Sequence, residues 1–200
     1  MFVTISGWAR YNSAKNKKEM NYSTMDWLNW ILPRVIILTL SQLLVNLSLN
    51  VNNGGRFEWH TPGVLTLLAI SAILAPLIIR LSLSFRISLA FILVFSPILI
   101  GEVTNDQLGW FERVSAENWL IWIERLLWNG TYPLFPWLFF SILGTIIFDL
   151  SNYPKVREFV IIFGLLTIAI SIFYSIVSGK IWALTNGDAV LTFFPASMPF

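Results

Sequence analysis

The only histidine of the chain, His60, lies in the run NNGGRFEWHTPGVL, two residues after Glu58 and four after Arg56. An imidazole beside a carboxylate can take and return a proton near neutral pH, or carry an acyl group. His60 is therefore the catalytic candidate by residue type, although a lone loop histidine more often serves as a hydrogen-bonding group. A second set lies upstream. Arg34, Gln42 and Asn46 recur at multiples of four, with Ser41 and Ser48 near the edges of the same stripe. On a helix that spacing lines up one face. The stripe suits a substrate path with an anion-binding arginine at its mouth. It suits equally an anchoring arginine followed by interhelical hydrogen bonds. Asp149 stands alone and reads as a solvated charge at a helix end. Cysteine is absent, which removes disulfides, thiolate metal sites and cysteine nucleophiles. No metal centre is expected, and no glycine-rich phosphate loop or zinc-protease motif is present.

The elements that must position these residues are apolar. The chain of 200 residues is 56% hydrophobic and 12% charged. That is about half of the roughly 25% charged residues of a soluble domain. Its apolar residues fall in blocks of about membrane-spanning length, so an all-α polytopic transmembrane bundle is expected, with the lipid bilayer as partner. A net charge of +2 makes no case for nucleic acid. Five spans are read: 27–49, 63–79, 86–101 (which can extend back through LSLSF), 133–150 and 158–178. All 200 residues form one transmembrane domain in this reading, and an oligomer is compatible with it.

The connecting segments sort by charge. Segments 9–26, 80–86 and 151–157 hold Arg10, Lys15, Lys17, Lys18, Arg80, Arg86, Lys155 and Arg157. Segments 50–62, 102–132 and 179–200 hold Arg56, Arg113, Arg125 and Lys180 against seven carboxylates. The excess of cations on one set places it in the cytoplasm. The C-terminus then lies outside, in an integral multi-pass protein of the cell membrane.

Residues 115–130, SAENWLIWIERLLWNG, read as an amphipathic helix in the outer interface, with Glu117, Glu124 and Arg125 on a narrow polar side. Asn129 opens an NGT glycosylation sequon on that side. The run YPLFPWLFF at 132–140 follows. Proline there suits a first helical turn, and Tyr132 and Trp137 suit the headgroup level. Ser141, Gly144 and Thr145, and the set Gly164, Thr167, Ser171, Tyr174, Ser175 and Ser178, have the spacing of close helix packing. Residues 1–8 read as the stub of a helix that begins earlier, and LTFFPASMPF as the start of one that continues, so the chain is expected to be a slice of a longer bundle.

Several stretches, in order, resemble one family. MFVTISGWARYNS, LPRVIILTL, HTPGVLTLLAISAILAPLIIR, YPLFPWLFFSILGTIIFD and FFPASMPF are similar to successive segments of the heparan-alpha-glucosaminide N-acetyltransferase-like membrane proteins. The resemblance is closer to their uncharacterised bacterial and archaeal relatives. Where acetyltransferase members carry Gln-Arg after GVL, this chain has Thr66 and Leu67. His60 does not occupy the position of the family's acyl-transfer histidine. The resemblance implies a multi-helix fold that moves an acyl group from a cytoplasmic thioester donor, acetyl-CoA or another acyl-CoA, to a sugar or similar acceptor. The other classes compatible with the residues are a small-molecule permease and a non-catalytic membrane scaffold.

Overall fold

The computed structural model describes residues 2–99, 108–151 and 153–178. Among them the secondary structure is helical, apart from one isolated bridge between Asn50 and Phe57. The helices are α1 (Phe2–Glu19), α2 (Thr24–Ser48), α3 (Val64–Ile78), α4 (Leu83–Leu99), α5 (Trp110–Val114), α6 (Trp119–Glu124), α7 (Leu134–Leu150) and α8 (Pro154–Ser178). The five apolar blocks of the sequence thus become α2, α3, α4, α7 and α8. The third begins earlier than residue 86, at Leu83, because Ser82 accepts the Phe85 N–H and opens the helix. One of the described helices, α2, is by itself long and apolar enough to cross a membrane. A second crossing arises if α6 and α7, bent by 49° at their junction, count as one broken span. Val64–Ile78 and Leu83–Ser96 are shorter apolar helices.

α1 corrects the sequence reading of its segment. Residues 9–26 are not a loop: the helix runs unbroken to Glu19, and only residues 20–23 turn before α2. No proline interrupts α1, and Lys17 and Lys18 in its last turn complement the negative end of the helix dipole. α2 then opens on a capping box, in which the Ser23 hydroxyl accepts the Asp26 N–H and the Asp26 carboxylate accepts the Ser23 N–H.

Glycine sets the central contact. A Cβ on Gly7 would lie 2.2 Å from the Ser141 carbonyl oxygen, and one on Gly144 would lie 2.1 Å from the Thr4 oxygen. α1 and α7 therefore meet backbone to backbone, as small residues permit between membrane helices. Val3 packs beside Trp137 and Phe140, and Tyr11 beside Phe148, so the two helices run in the same direction. α4 lies against α7 on another side, and α3 beside α1 and α2. Tyr11, Trp27, Trp30, Ile78, Leu93, Leu138, Ile142 and Ile146 form the main apolar cluster.

Two groups placed at solvated ends by sequence are paired with each other, Arg86 buried and Asp149 partly so. Arg86 is 2% exposed and donates to the Thr145 carbonyl at 3.1 Å and to Asp149. Asp149 also accepts from the Tyr11 hydroxyl at 3.0 Å and lies 3.8 Å from the Lys15 ammonium. The Arg86 guanidinium stacks 4.5 Å from the Tyr11 ring centre. Asp149 is thus the shared acceptor of α1 and α4, not a lone solvated charge. A buried arginine in an apolar bundle needs such a partner, and α7 supplies it.

At the opposite end the 132–140 run differs in detail from its sequence reading. Pro133 caps α7, Phe135 is extended at φ −100° and ψ 115°, and the Phe135–Pro136 peptide is cis. Pro136, rather than Pro133, opens the regular helix. The amphipathic segment is also shorter than 115–130. Asn118 accepts the Ile121 N–H and starts α6 at Trp119, which continues as a π-helical turn over Arg125–Asn129. The serines and tyrosine of the α8 stripe lie outside the described side chains. Phe159, Ile162, Phe163 and Leu166 of that helix are exposed.

Candidate functional site

Chemistry-bearing side chains gather at two levels of α2. Around its middle, α1, α2 and α3 enclose an open cleft of about 430 Å³. Ser6, Arg10 and Ser13 line it from one face of α1, Trp30, Arg34, Ile37 and Leu38 from α2, and Ala72 from α3. Arg10 donates to the Ser6 hydroxyl at 2.8 Å and to the Ser71 hydroxyl, which shares a 2.6 Å hydrogen bond with Ser141. Arg34 donates to the Trp30 carbonyl, and its guanidinium carbon sits 4.5 Å from the Trp30 ring centre. The two guanidiniums are close enough for their charges to oppose each other. Among the described residues, no aspartate or glutamate lines the cleft.

Gln42 and Asn46 lie two to three turns further along α2, both buried. Gln42 donates from Nε2 to Asn46 Oδ1 at 2.8 Å and accepts the Leu65 N–H on Oε1 at 3.1 Å. Asn46 donates from Nδ2 to the Thr61 carbonyl at 2.8 Å and the Trp59 carbonyl at 3.1 Å. The pair therefore holds the 59–65 segment and the first turn of α3 against α2. Thr61 adds a bond to the Val114 carbonyl at 2.8 Å, and the Trp122 indole donates to the His60 carbonyl at 2.8 Å. Thr131 donates to the Pro62 carbonyl at 2.8 Å.

The segment so clamped carries His60. Its side chain is 20% exposed, and both ring nitrogens are buried with no hydrogen-bond partner among the described residues. Nε2 lies 3.6 Å from the Glu58 carboxylate, and the Trp59 ring meets the imidazole edge-on at 5.1 Å. An imidazole whose nitrogens have no hydrogen-bond partner among the described residues holds its lone pair and N–H in reserve, and the neighbouring carboxylate can orient it.

The cations beyond His60 serve the fold. Arg113 donates to the Leu108 and Asn129 carbonyls at 3.1 and 3.0 Å. Arg125 donates to the Ser115 carbonyl at 3.3 Å and to Asn129 Oδ1 at 2.9 Å. Asn129 is 6% exposed, so the asparagine of the NGT sequon is committed inside the fold. On this side a second cleft, of about 260 Å³, opens between Phe2, Val3, Val64, Tyr132, Trp137 and Phe140. Burial raises the pKa of the Tyr132 phenol, which keeps it a neutral donor.

The structure joins Gln42 to Asn46 and connects both to the His60 segment. It places Arg34 elsewhere, with Arg10. From sequence Arg10 reads as a loop cation, whereas the structure places it on α1 facing the cleft. The signal was the Ser6, Arg10, Ser13 spacing, legible only once α1 is known to continue past Trp8.

A helical bundle with apolar outer faces and buried guanidinium and amide groups has the character of membrane-embedded proteins with an internal polar site. The chain belongs to the heparan-alpha-glucosaminide N-acetyltransferase catalytic family, whose model matches residues 1–182. No curated protein and no solved structure matches the chain. The family assignment makes the activity acyltransferase-like in class.

Proposed function

We propose that this protein is a multi-pass membrane acyltransferase that moves an acyl group from a cytoplasmic thioester donor, acetyl-CoA or a related acyl-CoA, to a sugar or similar acceptor on the other side. The observation that carries the reading is the position of His60. Its imidazole, without a hydrogen-bond partner among the described residues, sits beside Glu58 on a segment clamped to the C-terminal end of α2, while Arg34, near the middle of α2, faces an open cleft. From Arg34 to Asn46 the helix rises roughly 18 Å, a large part of a hydrocarbon core of about 30 Å. One element thus links an arginine suited to an anionic donor with an imidazole suited to proton transfer.

The roles divide accordingly. His60 accepts the proton from the acceptor's attacking amine or hydroxyl as that group bonds to the thioester carbonyl. The C–S bond then breaks, and the thiolate leaves with the donor and takes up a proton. Glu58 stabilises the transient imidazolium. Gln42 and Asn46 position the segment and border the outer part of the path, and Arg34 borders its inner mouth. The basic ends of α1 and α8 and the 80–82 turn face the cytoplasm, while the α5–α6 segment lies in the outer interface. The remaining apolar helices cross the bilayer with α2.

The test is transfer of radiolabelled acetyl groups from acetyl-CoA to a panel of amino sugars by membranes carrying the protein. His60→Ala should lower the rate by about 10²-fold or more, in the range of a lost general base. His60→Ala with unchanged turnover refutes the assignment of His60. No transfer by the wild-type protein to any amine or hydroxyl acceptor favours a permease or scaffold instead.

A further inference from the structure

His60 stands in a turn that is closed on itself. The Glu58 carbonyl accepts the Thr61 N–H at 3.0 Å, and the Glu58 N–H is donated to the Thr61 hydroxyl at 2.9 Å. Residues 58–61 therefore form a four-residue turn with Glu58 first and His60 third. The turn brings the carboxylate within 3.6 Å of the imidazole. Its backbone is also held from outside. Four successive carbonyls each accept a side-chain donor: Trp59 and Thr61 from Asn46, His60 from the Trp122 indole, and Pro62 from the Thr131 hydroxyl. Buried loop carbonyls need partners, and here three separate parts of the chain supply them.

The donors are not equivalent. Asn46 and Thr131 are 1% and 0% exposed and belong to the packed bundle. Trp122 is half-buried on α6, a short peripheral helix whose Trp119, Leu120 and Ile123 are exposed. Yet Trp122 reaches the turn at the residue that bears the imidazole, with its N–H 2.8 Å from the His60 carbonyl. Neither ring nitrogen of His60 has a hydrogen-bond partner among the described residues. The direction of the ring is therefore set through its backbone and by packing, as against the Trp59 ring at 5.1 Å. Two side-chain torsions separate an imidazole from its backbone, and the rotamers open to them depend on φ and ψ.

We propose that Trp122 is a positioning residue: its indole N–H, by holding the His60 carbonyl, fixes the imidazole against Glu58. The consequence for catalysis rests on the acyltransferase reading, whereas the positioning itself involves no acyl group. Trp110 offers a matched comparison. It stands on α5 of the same outer segment, and its indole donates to the Arg56 carbonyl at 2.8 Å, outside the turn. Loss of either indole N–H removes a similar bond from the fold, but only that of Trp122 acts on His60.

The experiment uses the full chain in phosphatidylcholine nanodiscs. His60 is the single histidine, so carbethoxylation by diethyl pyrocarbonate, read by mass spectrometry, reports on one imidazole. Trp122→Phe keeps an aromatic ring in place and removes the donor, and because α6 is peripheral the bundle does not depend on it. It should raise the rate of His60 modification by about fivefold, the factor set by one typical hydrogen bond, while Trp110→Phe reacts at the wild-type rate. In the acetyl-transfer assay Trp122→Phe should lower kcat by about two- to fivefold and leave the acceptor KM unchanged. Modification of Trp122→Phe at the wild-type rate overturns the proposal. So does an equal rise in both variants, which would show a general loosening of the outer segment. An unchanged kcat in Trp122→Phe overturns the catalytic consequence. A wild-type protein that transfers no acetyl group, with the rise in modification still confined to Trp122→Phe, refutes the acyltransferase reading and supports the positioning of His60 by Trp122.

Discussion

Asn46→Leu is the perturbation whose consequence can be worked most closely. Asn46 is 1% exposed and makes three hydrogen bonds: one accepted from Gln42, two donated to the Trp59 and Thr61 carbonyls. Leucine is of similar size, so the cavity term is small and the loss is polar. Hydrogen bonds between membrane helices average about 0.6 kcal/mol each, with a maximum near 1.7, and typical protein values are about 1 kcal/mol. Three bonds, one of them leaving the buried Thr61 carbonyl unpaired, give an expected cost of about 2 to 3 kcal/mol. The assay is unfolding in dodecyl maltoside micelles with increasing SDS, followed by the fluorescence of the ten tryptophans. A double-mutant cycle with Gln42→Leu should return a coupling of about 0.6 to 1.7 kcal/mol for the direct pair. Asn46→Asp should cost at least as much as Asn46→Leu, because an ionised carboxylate faces two carbonyl oxygens and has no N–H to offer. A cost below about 0.5 kcal/mol for Asn46→Leu, or zero coupling, refutes the view that this pair clamps the His60 segment.

Other consequences are open to measurement. Asp149→Leu should lower stability by about 2 to 3 kcal/mol, less than the 3 to 5 of a fully buried broken pair, since the Asp149 side chain is 22% exposed. Arg86→Met with Asp149→Leu should recover part of that loss in the same assay. Gly144→Ala should destabilise by about 1 to 3 kcal/mol or more, because its Cβ would meet the Thr4 oxygen at 2.1 Å. A loss below about 0.5 kcal/mol in Gly144→Ala would contradict the close α1–α7 contact. Reporter fusions after Met20, Arg80 and Lys155 should read as cytoplasmic and one after Glu112 as external, and one reversed site would break the sidedness.

What could be read from the sequence follows from how local each signal is. α2, α3, α4, α7 and α8 announce themselves as apolar runs. The Gln42–Asn46 pair shows as a four-residue repeat, and both are buried, whereas Arg34 of the same stripe is exposed. Their partners do not show, because backbone carbonyls at Trp59 and Thr61 carry no sequence mark. The basic run at residues 15–18 looks like a loop only because charge was read as an end of structure. Those lysines in fact sit on the last turns of α1. The Arg86–Asp149 pair joins residues 63 apart, and the contact of Gly7 with Ser141 is longer in range still. Neither leaves a local pattern in the sequence, so only the packed bundle reveals them. The same is true of Arg10 and Arg34, which lie on antiparallel helices at matching depth.

The central claim is transfer across the bilayer by a site that uses His60, and sided vesicles test it most directly. The protein is reconstituted in one orientation, with labelled acetyl-CoA confined to the side of the α1–α2 turn and an amino-sugar acceptor confined to the other. The account predicts labelled product on the acceptor side with the wild-type protein and almost none with His60→Ala. Product formed only when donor and acceptor share one compartment, or formed equally by His60→Ala, would contradict it.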